Sequence, residues 1–172
     1  TDDLDLTDYA SGRVIYSLPG APAFPVRLAS EIFQRAQGHL PNKRLTLYDP
    51  TCGGAYHLVA IGLLHGAAIQ AILASDADET MLPLAKRNLG LLSRDGMDRR
   101  AEELTALHEQ YGKKSHAEAL QSLARLRSQL DCFTPPQTKV FQANVLDQDA
   151  IQANLSGETV DLIFSDVPYG LM

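Results

Sequence analysis

The run Asp166-Val167-Pro168-Tyr169-Gly170 sets a carboxylate, a rigid imino acid and an aromatic ring side by side. Those three suit one kind of chemistry. A planar amino group on a nucleobase is a poor nucleophile, because its lone pair is conjugated into the ring. Hydrogen bonds to both of its N–H groups localise that lone pair. Asp166 can accept one of them and the Val167 carbonyl the other. Pro168 would fix the geometry, and Tyr169 would stack on the base, a contact worth roughly 1–3 kcal/mol.

Two further clusters suit a cofactor. Asp49-Pro50-Thr51-Cys52-Gly53-Gly54-Ala55 reads as a glycine turn between a strand and a helix. Glycine lets a ligand approach the backbone closely, since no Cβ intervenes. The spacing is not the G-x-G-x-x-G of dinucleotide folds, which weakens a nicotinamide oxidoreductase reading. An acid ahead of the turn would also repel a pyrophosphate. It suits a cation better, and S-adenosylmethionine carries both an ammonium and a sulfonium for Asp49 to answer. Asp76, in Asp76-Ala77-Asp78, is an acid able to accept from two ribose hydroxyls. Asp78 is assigned to helix capping. With a sulfonium donor already activated, the protein's task is in-line positioning and electrostatics.

The elements that must hold these residues follow from the apolar pattern. The first 25 residues are rich in breakers. A helix begins at Pro25 and closes at Gly38. Leu45 to Tyr48 reads as a strand stopped by Asp49-Pro50, Ala55 to Leu64 as a helix apolar nearly all round, and Gln70 to Ser75 as a second strand. A helix then runs to about Leu92. Residues 94–131 are polar and helix-favouring, with Gly112 dividing them into a pair. Lys139 to Ala143 and Val160 to Phe164 read as third and fourth strands around a short helix, Ala150 to Leu155. Strands alternating with helices predict an α/β fold with a Rossmann-like parallel sheet covered on both faces. Ligands in such sheets bind beyond the carboxyl ends of the strands, where Asp49, Asp76, Asn144 and Asp166 all fall. We expect a single domain over 1–172, with an N-terminal loop and helix (1–44), a core (45–93 and 139–172) and a helical insertion (94–131).

Composition sets outer bounds. The chain has 172 residues, 45% of them hydrophobic and 21% charged, values that suit a globular core. No apolar run reaches the roughly 18 residues of a membrane span. Thr1 to Asp8 carries four Asp and no base, unlike a secretory signal. Cys52 and Cys132 are too far apart for a C-x-x-C site, so a reduced, cytoplasmic setting is expected. Cys52 and His57 are two potential ligands and do not make a zinc site; no metal is expected. The net charge of −6 argues against non-specific nucleic-acid binding. Residues 94–127, with seven bases and six acids, offer either a solvated helical face or phosphate contacts.

The turn at Asp49, the acid at Asp76 and the run at Asp166 together resemble the first, second and D/N-P-P-Y/F motifs of class I S-adenosylmethionine-dependent methyltransferases. A closer resemblance is to the avilamycin-resistance rRNA methyltransferase family. It adds Ala23-Phe24-Pro25-Val26-Arg27-Leu28-Ala29-Ser30-Glu31-Ile32-Phe33, then Lys86-Arg87-Asn88-Leu89, then Tyr111-Gly112-Lys113-Lys114-Ser115. It extends from about Val14 to Gly170. The resemblance implies guanine-N2 methylation of large-subunit rRNA with S-adenosylmethionine as donor. Asp49, Thr51, Cys52, Gly53, Gly54 and Asp76 would form the cofactor side, Asn144 would sit near the adenine, and Asp166, Pro168 and Tyr169 would hold the base. Two departures stand out. Ala55 occupies the place of the turn's usual last glycine. The chain also stops at Met172, where a seven-stranded family sheet would continue, so a fragment with an exposed sheet edge is expected. Rival readings are a DNA amino-methyltransferase acting on adenine N6 or cytosine N4, and a non-catalytic domain that binds S-adenosylmethionine or RNA.

Overall fold

The computed structural model describes residues 5–10, 12–18, 23–41 and 44–167. Helix α1 spans Val26–Gln37, entered from an extended Pro25, and buries Ala29, Ser30 and Phe33 on one face. Strand β1 (Leu45–Asp49) is buried along its whole length. Helix α2 (Tyr56–His65) is buried from His57 to Leu63, as an all-round apolar helix must be. Strand β2 (Ile69–Asp76) pairs with β1 in parallel. A short turn capped by Asp78, whose side chain accepts from the Thr80 N–H, leads into α3 (Leu82–Gly90).

The insertion is a helical pair, α4 (Arg94–Tyr111) and α5 (Lys114–Leu130). Gly112 separates them with φ +59°, the left-handed conformation that ends α4. Strand β3 (Gln137–Gln142), helix α6 (Gln148–Leu155) and the two-residue strand β4 (Leu162–Ile163) complete the order. The fourth strand is thus shorter than its apolar run, since only Leu162 and Ile163 pair with β1.

The sheet order is β3-β2-β1-β4, all parallel. The chain steps outward from β1 to β2 to β3, then returns to the other side of β1. The crevice where the winding reverses, between β1 and β4 at their carboxyl ends, is where this topology takes ligands. The main core gathers Phe33, Leu45, Leu47, Leu58, Ile61, Ile72, Leu89 and Met97, and extends into α5 through Leu123, Leu126 and Leu130. The insertion therefore shares the core of the sheet.

Most bases of the insertion are matched within the protein. Arg94 pairs with Asp131, Arg100 with Glu103, Lys114 with Glu118, Arg125 with Asp8, and Arg127 with Asp98. This favours the solvated-face reading of these five side chains. Arg87 and Arg100 also lie over the Tyr16 ring, at 3.9 and 4.2 Å from its centroid. The Tyr16 hydroxyl donates to Glu103 at 2.9 Å. That stack fixes the segment before α1 to the insertion.

Candidate active site

The glycine turn follows β1 directly, and hydrogen bonds from several sides shape it. Asp76 Oδ2 accepts from the Gly53 N–H at 2.7 Å. The Ser75 carbonyl accepts from the Cys52 N–H at 2.9 Å, and the Cys52 carbonyl from the Ala55 N–H at 2.7 Å. Gly53 has φ +51°, so the turn needs a residue tolerant of left-handed backbone. At Gly54 a Cβ would lie 2.6 Å from Leu84 Cδ2. The Gly54 carbonyl is held by Asn88, which is fully buried and donates to it at 2.7 Å. Asn88 also donates to the Tyr16 carbonyl at 3.1 Å and accepts from the Tyr16 N–H at 2.9 Å.

Ala55 keeps φ +56° and ψ +29° although it carries a Cβ. Alanine thus holds a left-handed backbone at the end of the turn, at a conformational cost of roughly 1–2 kcal/mol. Removing the side chain relieves that strain but loses a buried methyl, about 0.8 kcal/mol, and loosens the unfolded chain. Ala55→Gly should therefore leave stability unchanged to within about 0.5 kcal/mol. Ala60→Gly, within buried α2, should cost about 2 kcal/mol. Denaturant midpoints of the two variants check the contrast.

A cavity of about 660 Å³ opens over the turn, a size typical of small-molecule sites. Pro50, Thr51, Cys52, Gly53 and Gly54 form one wall. Asp76, Ala77, Asp78 and Met81 form a second. Asn144, Val145 and Asp166 come from beyond β3 and β4, and Phe24, Tyr56 and His57 complete the lining. The residues beyond four separate stretches of sequence therefore face one space, with the cofactor turn and Asp166 on the same side of the molecule. Pro168 and Tyr169 lie outside the described residues.

Asp49 is placed differently from its neighbours. It is fully buried beneath the turn and is not part of the cavity wall. Its Oδ1 accepts from the Thr51 N–H at 2.9 Å and from the Ser165 hydroxyl at 2.6 Å. Its Oδ2 stands 3.0 Å from His57 Nε2, a contact that falls short of hydrogen-bond geometry. The carboxylate is thus occupied with holding its own turn, and it can reach a cation in the cavity only through its field.

No site role is read from the sequence for Phe24, Tyr56, Met81 or Val145, and His57 figures there only as one of two insufficient zinc ligands. His57 packs between the rings of Phe24 and Phe164, at centroid distances of 5.8 and 5.3 Å. Phe24 comes from the loop before α1, so no spacing along the chain links it to His57. Its only sequence signal is its place in the resemblance segment. Among the described residues, no group of three or more His, Cys, Asp or Glu could hold a metal ion. None of their helices is long and apolar enough to cross a membrane.

Cys52 lines the cavity as a thiol, not a thiolate. Burial first, then the carboxylates of Asp49 and Asp76, push its pKa up to about 12. At pH 8 only about one molecule in ten thousand would be ionised there, and the thiolate is the reactive form. Cys132 is exposed. Brief maleimide treatment of the native protein should label Cys132 and spare Cys52, as peptide mass mapping would read.

The fold is that of a Rossmann-like methyltransferase. The family model described as "RRNA methyltransferase AviRa" matches residues 1–172, and the chain belongs to that family. It is 44% identical over 169 residues to the 23S rRNA (guanine(2535)-N(1))-methyltransferase of Streptomyces viridochromogenes, covering 97% of this chain and 68% of that protein. Two solved structures of the rRNA methyltransferase aviRa from the same organism, at 2.4 Å and 1.5 Å, superpose with a TM-score of 0.93. Each is 43% identical, over 98% of this chain and 68% of theirs.

Proposed function

We propose that the chain binds S-adenosylmethionine in the cavity over the glycine turn and methylates N1 of a guanine in large-subunit ribosomal RNA. The observation that carries this reading is the shared lining: Gly53, Asp76 and Asp166 border one cavity at the sheet's switch point. The residues present fit the donor. The half-buried Asp76 gives one oxygen to the Gly53 N–H and the other to the Asp78 N–H at 2.9 Å. A carboxylate has about four acceptor sites, which leaves capacity for both ribose hydroxyls. Met81 and Val145 offer apolar surface to the adenine, and Asn144 a polar edge. The buried Asp49 adds negative field beneath a cationic ligand.

The donor supplies a methyl group made electrophilic by its sulfonium. Asp166, exposed on the cavity rim, accepts the N1 proton while the new N–C bond forms and the C–S bond breaks. The base thus exchanges a proton for a methyl at N1, and the sulfur ends neutral. The Val167 carbonyl would accept from the guanine N2 amino group. Pro168 would stiffen the loop, and Tyr169 would stack on the base.

N1 and N2 are neighbours on one edge of guanine, so the same pocket can present either. The resemblance implied N2. The 44%-identical relative is named for N1, and this favours N1 here. A ribosomal RNA substrate also suits the cytoplasmic setting expected from cysteine usage. The experiment is nucleoside analysis of large-subunit rRNA after incubation of the full-length protein with labelled donor. Label eluting with N1-methylguanosine supports the reading. Label in N2-methylguanosine overturns the N1 assignment, and donor binding without transfer favours the non-catalytic rival.

A further inference from the structure

The two walls of the cavity are joined by hydroxyls. Thr51, on the cofactor turn, has its Oγ1 2.6 Å from Ser165 Oγ. The Ser165 hydroxyl donates to Asp49 Oδ1 at 2.6 Å. Ser165 has a single proton, so the Thr51 hydroxyl is the donor in the first bond. The result is a directed relay, Thr51 to Ser165 to Asp49, that ends on a fully buried carboxylate. A second bond to the same oxygen comes from the Thr51 N–H at 2.9 Å.

Ser165 immediately precedes Asp166. On the Ser165 side, β4 contributes only two paired residues, followed by one further backbone bond from the Phe164 N–H to the Tyr48 carbonyl at 3.0 Å. Phe164, buried against Phe24 and His57, ends that paired stretch. The relay carries the anchorage one residue further, to Ser165, and fastens it to the turn beneath the proposed donor.

We propose that Ser165 is a positioning residue that sets Asp166 at a fixed height above the cofactor turn, coupling the acceptor side of the site to the donor side. This rests on the reading of Asp166 as the group that meets the base. A charge-assisted bond to a buried carboxylate is among the stronger and stiffer contacts a hydroxyl can make. Losing it frees the Asp166 loop while leaving the cavity wall that binds the donor. A displacement of about 1 Å in a reacting group is enough to cost of order a hundredfold in rate.

The test compares Ser165→Ala and Ser165→Thr in the full-length protein, with Asp166→Ala as reference. Three quantities are read: methyl transfer to rRNA at saturating donor, donor Kd and melting temperature. The inference expects Ser165→Ala to lose at least tenfold in kcat with donor Kd within threefold, and Ser165→Thr, which keeps the hydroxyl, to recover to within threefold of wild type. Full activity in Ser165→Ala, a loss that Thr does not restore, or a loss matched by weakened donor binding would overturn it. An inactive Asp166→Ala beside a fully active Ser165→Ala overturns this inference alone. Wild-type turnover in Asp166→Ala overturns the reading of that residue and this inference with it. The relay can also be read without substrate. Thr51→Val and Ser165→Ala should be non-additive in denaturant midpoint, and strict additivity would mean that the hydroxyls do not communicate.

Discussion

Asp166→Ala is expected to reduce methyl transfer by about a thousandfold while donor Kd stays within a few-fold, since loss of a general base typically costs 10²–10⁴. The residue sits on the rim of the cavity and bonds to nothing in the turn. Its removal therefore strips away the proton acceptor without disturbing the donor's wall. Asp166→Asn separates the two nitrogens of guanine. An exocyclic amine needs only an acceptor to localise its lone pair, and an amide oxygen serves, as the D/N alternation in the motif implies. A ring N1–H must actually be removed, and an amide cannot take that proton. For N1 methylation, Asn should be nearly as damaging as Ala, a loss of at least about a hundredfold. Single-turnover rates with both variants check this, and a near-normal Asn variant would point back to N2.

Asp76→Ala should have the opposite signature. Two hydrogen bonds from ribose hydroxyls to a charged acceptor are each worth roughly 1.5–3 kcal/mol. The bond from the Gly53 N–H that shapes the turn is lost as well. Donor affinity is expected to fall by about a hundredfold or more, at 1.4 kcal/mol for each factor of ten. The rate at saturating donor should remain within about fivefold, because Asp166 and its loop are untouched. Isothermal titration of Asp76→Ala beside Asp76→Asn, which keeps one acceptor oxygen, should give a graded series. A loss of kcat with unchanged donor affinity would remove Asp76 from the ribose.

Much of this arrangement is legible in the sequence because it is local. A strand followed by an acid and a glycine turn can be read from a dozen residues, and so can Asp78 as a cap. The rule that ligands lie beyond strand carboxyl ends then gathers Asp76, Asn144 and Asp166 before any contact is known. What the sequence does not disclose depends on depth and on distant partners. Asp49 reads as a residue facing the ligand because an acid beside a glycine turn suits a cation. Only the folded chain reveals Thr51, Ser165 and His57 packed around it. His57 and Phe24 enter the cavity from segments with no shared period. Ser165 is a common residue before a motif, and its meaning comes from a hydroxyl that lies far away in the chain. The brevity of β4 is likewise invisible in a run of apolar residues, since pairing is decided by the neighbouring strand.

The central claim is that donor and acceptor meet in the cavity over the glycine turn. A crystal structure of the full-length protein with S-adenosylhomocysteine tests it most directly. The account predicts ribose hydroxyls on Asp76, adenine against Met81 and Val145, and the sulfur turned toward Asp166. It would be contradicted by a ligand seated instead at the opposite end of the sheet, in the cavity of about 700 Å³ lined by Arg44, Gln70 and Gln137, or by a sulfur facing away from Asp166.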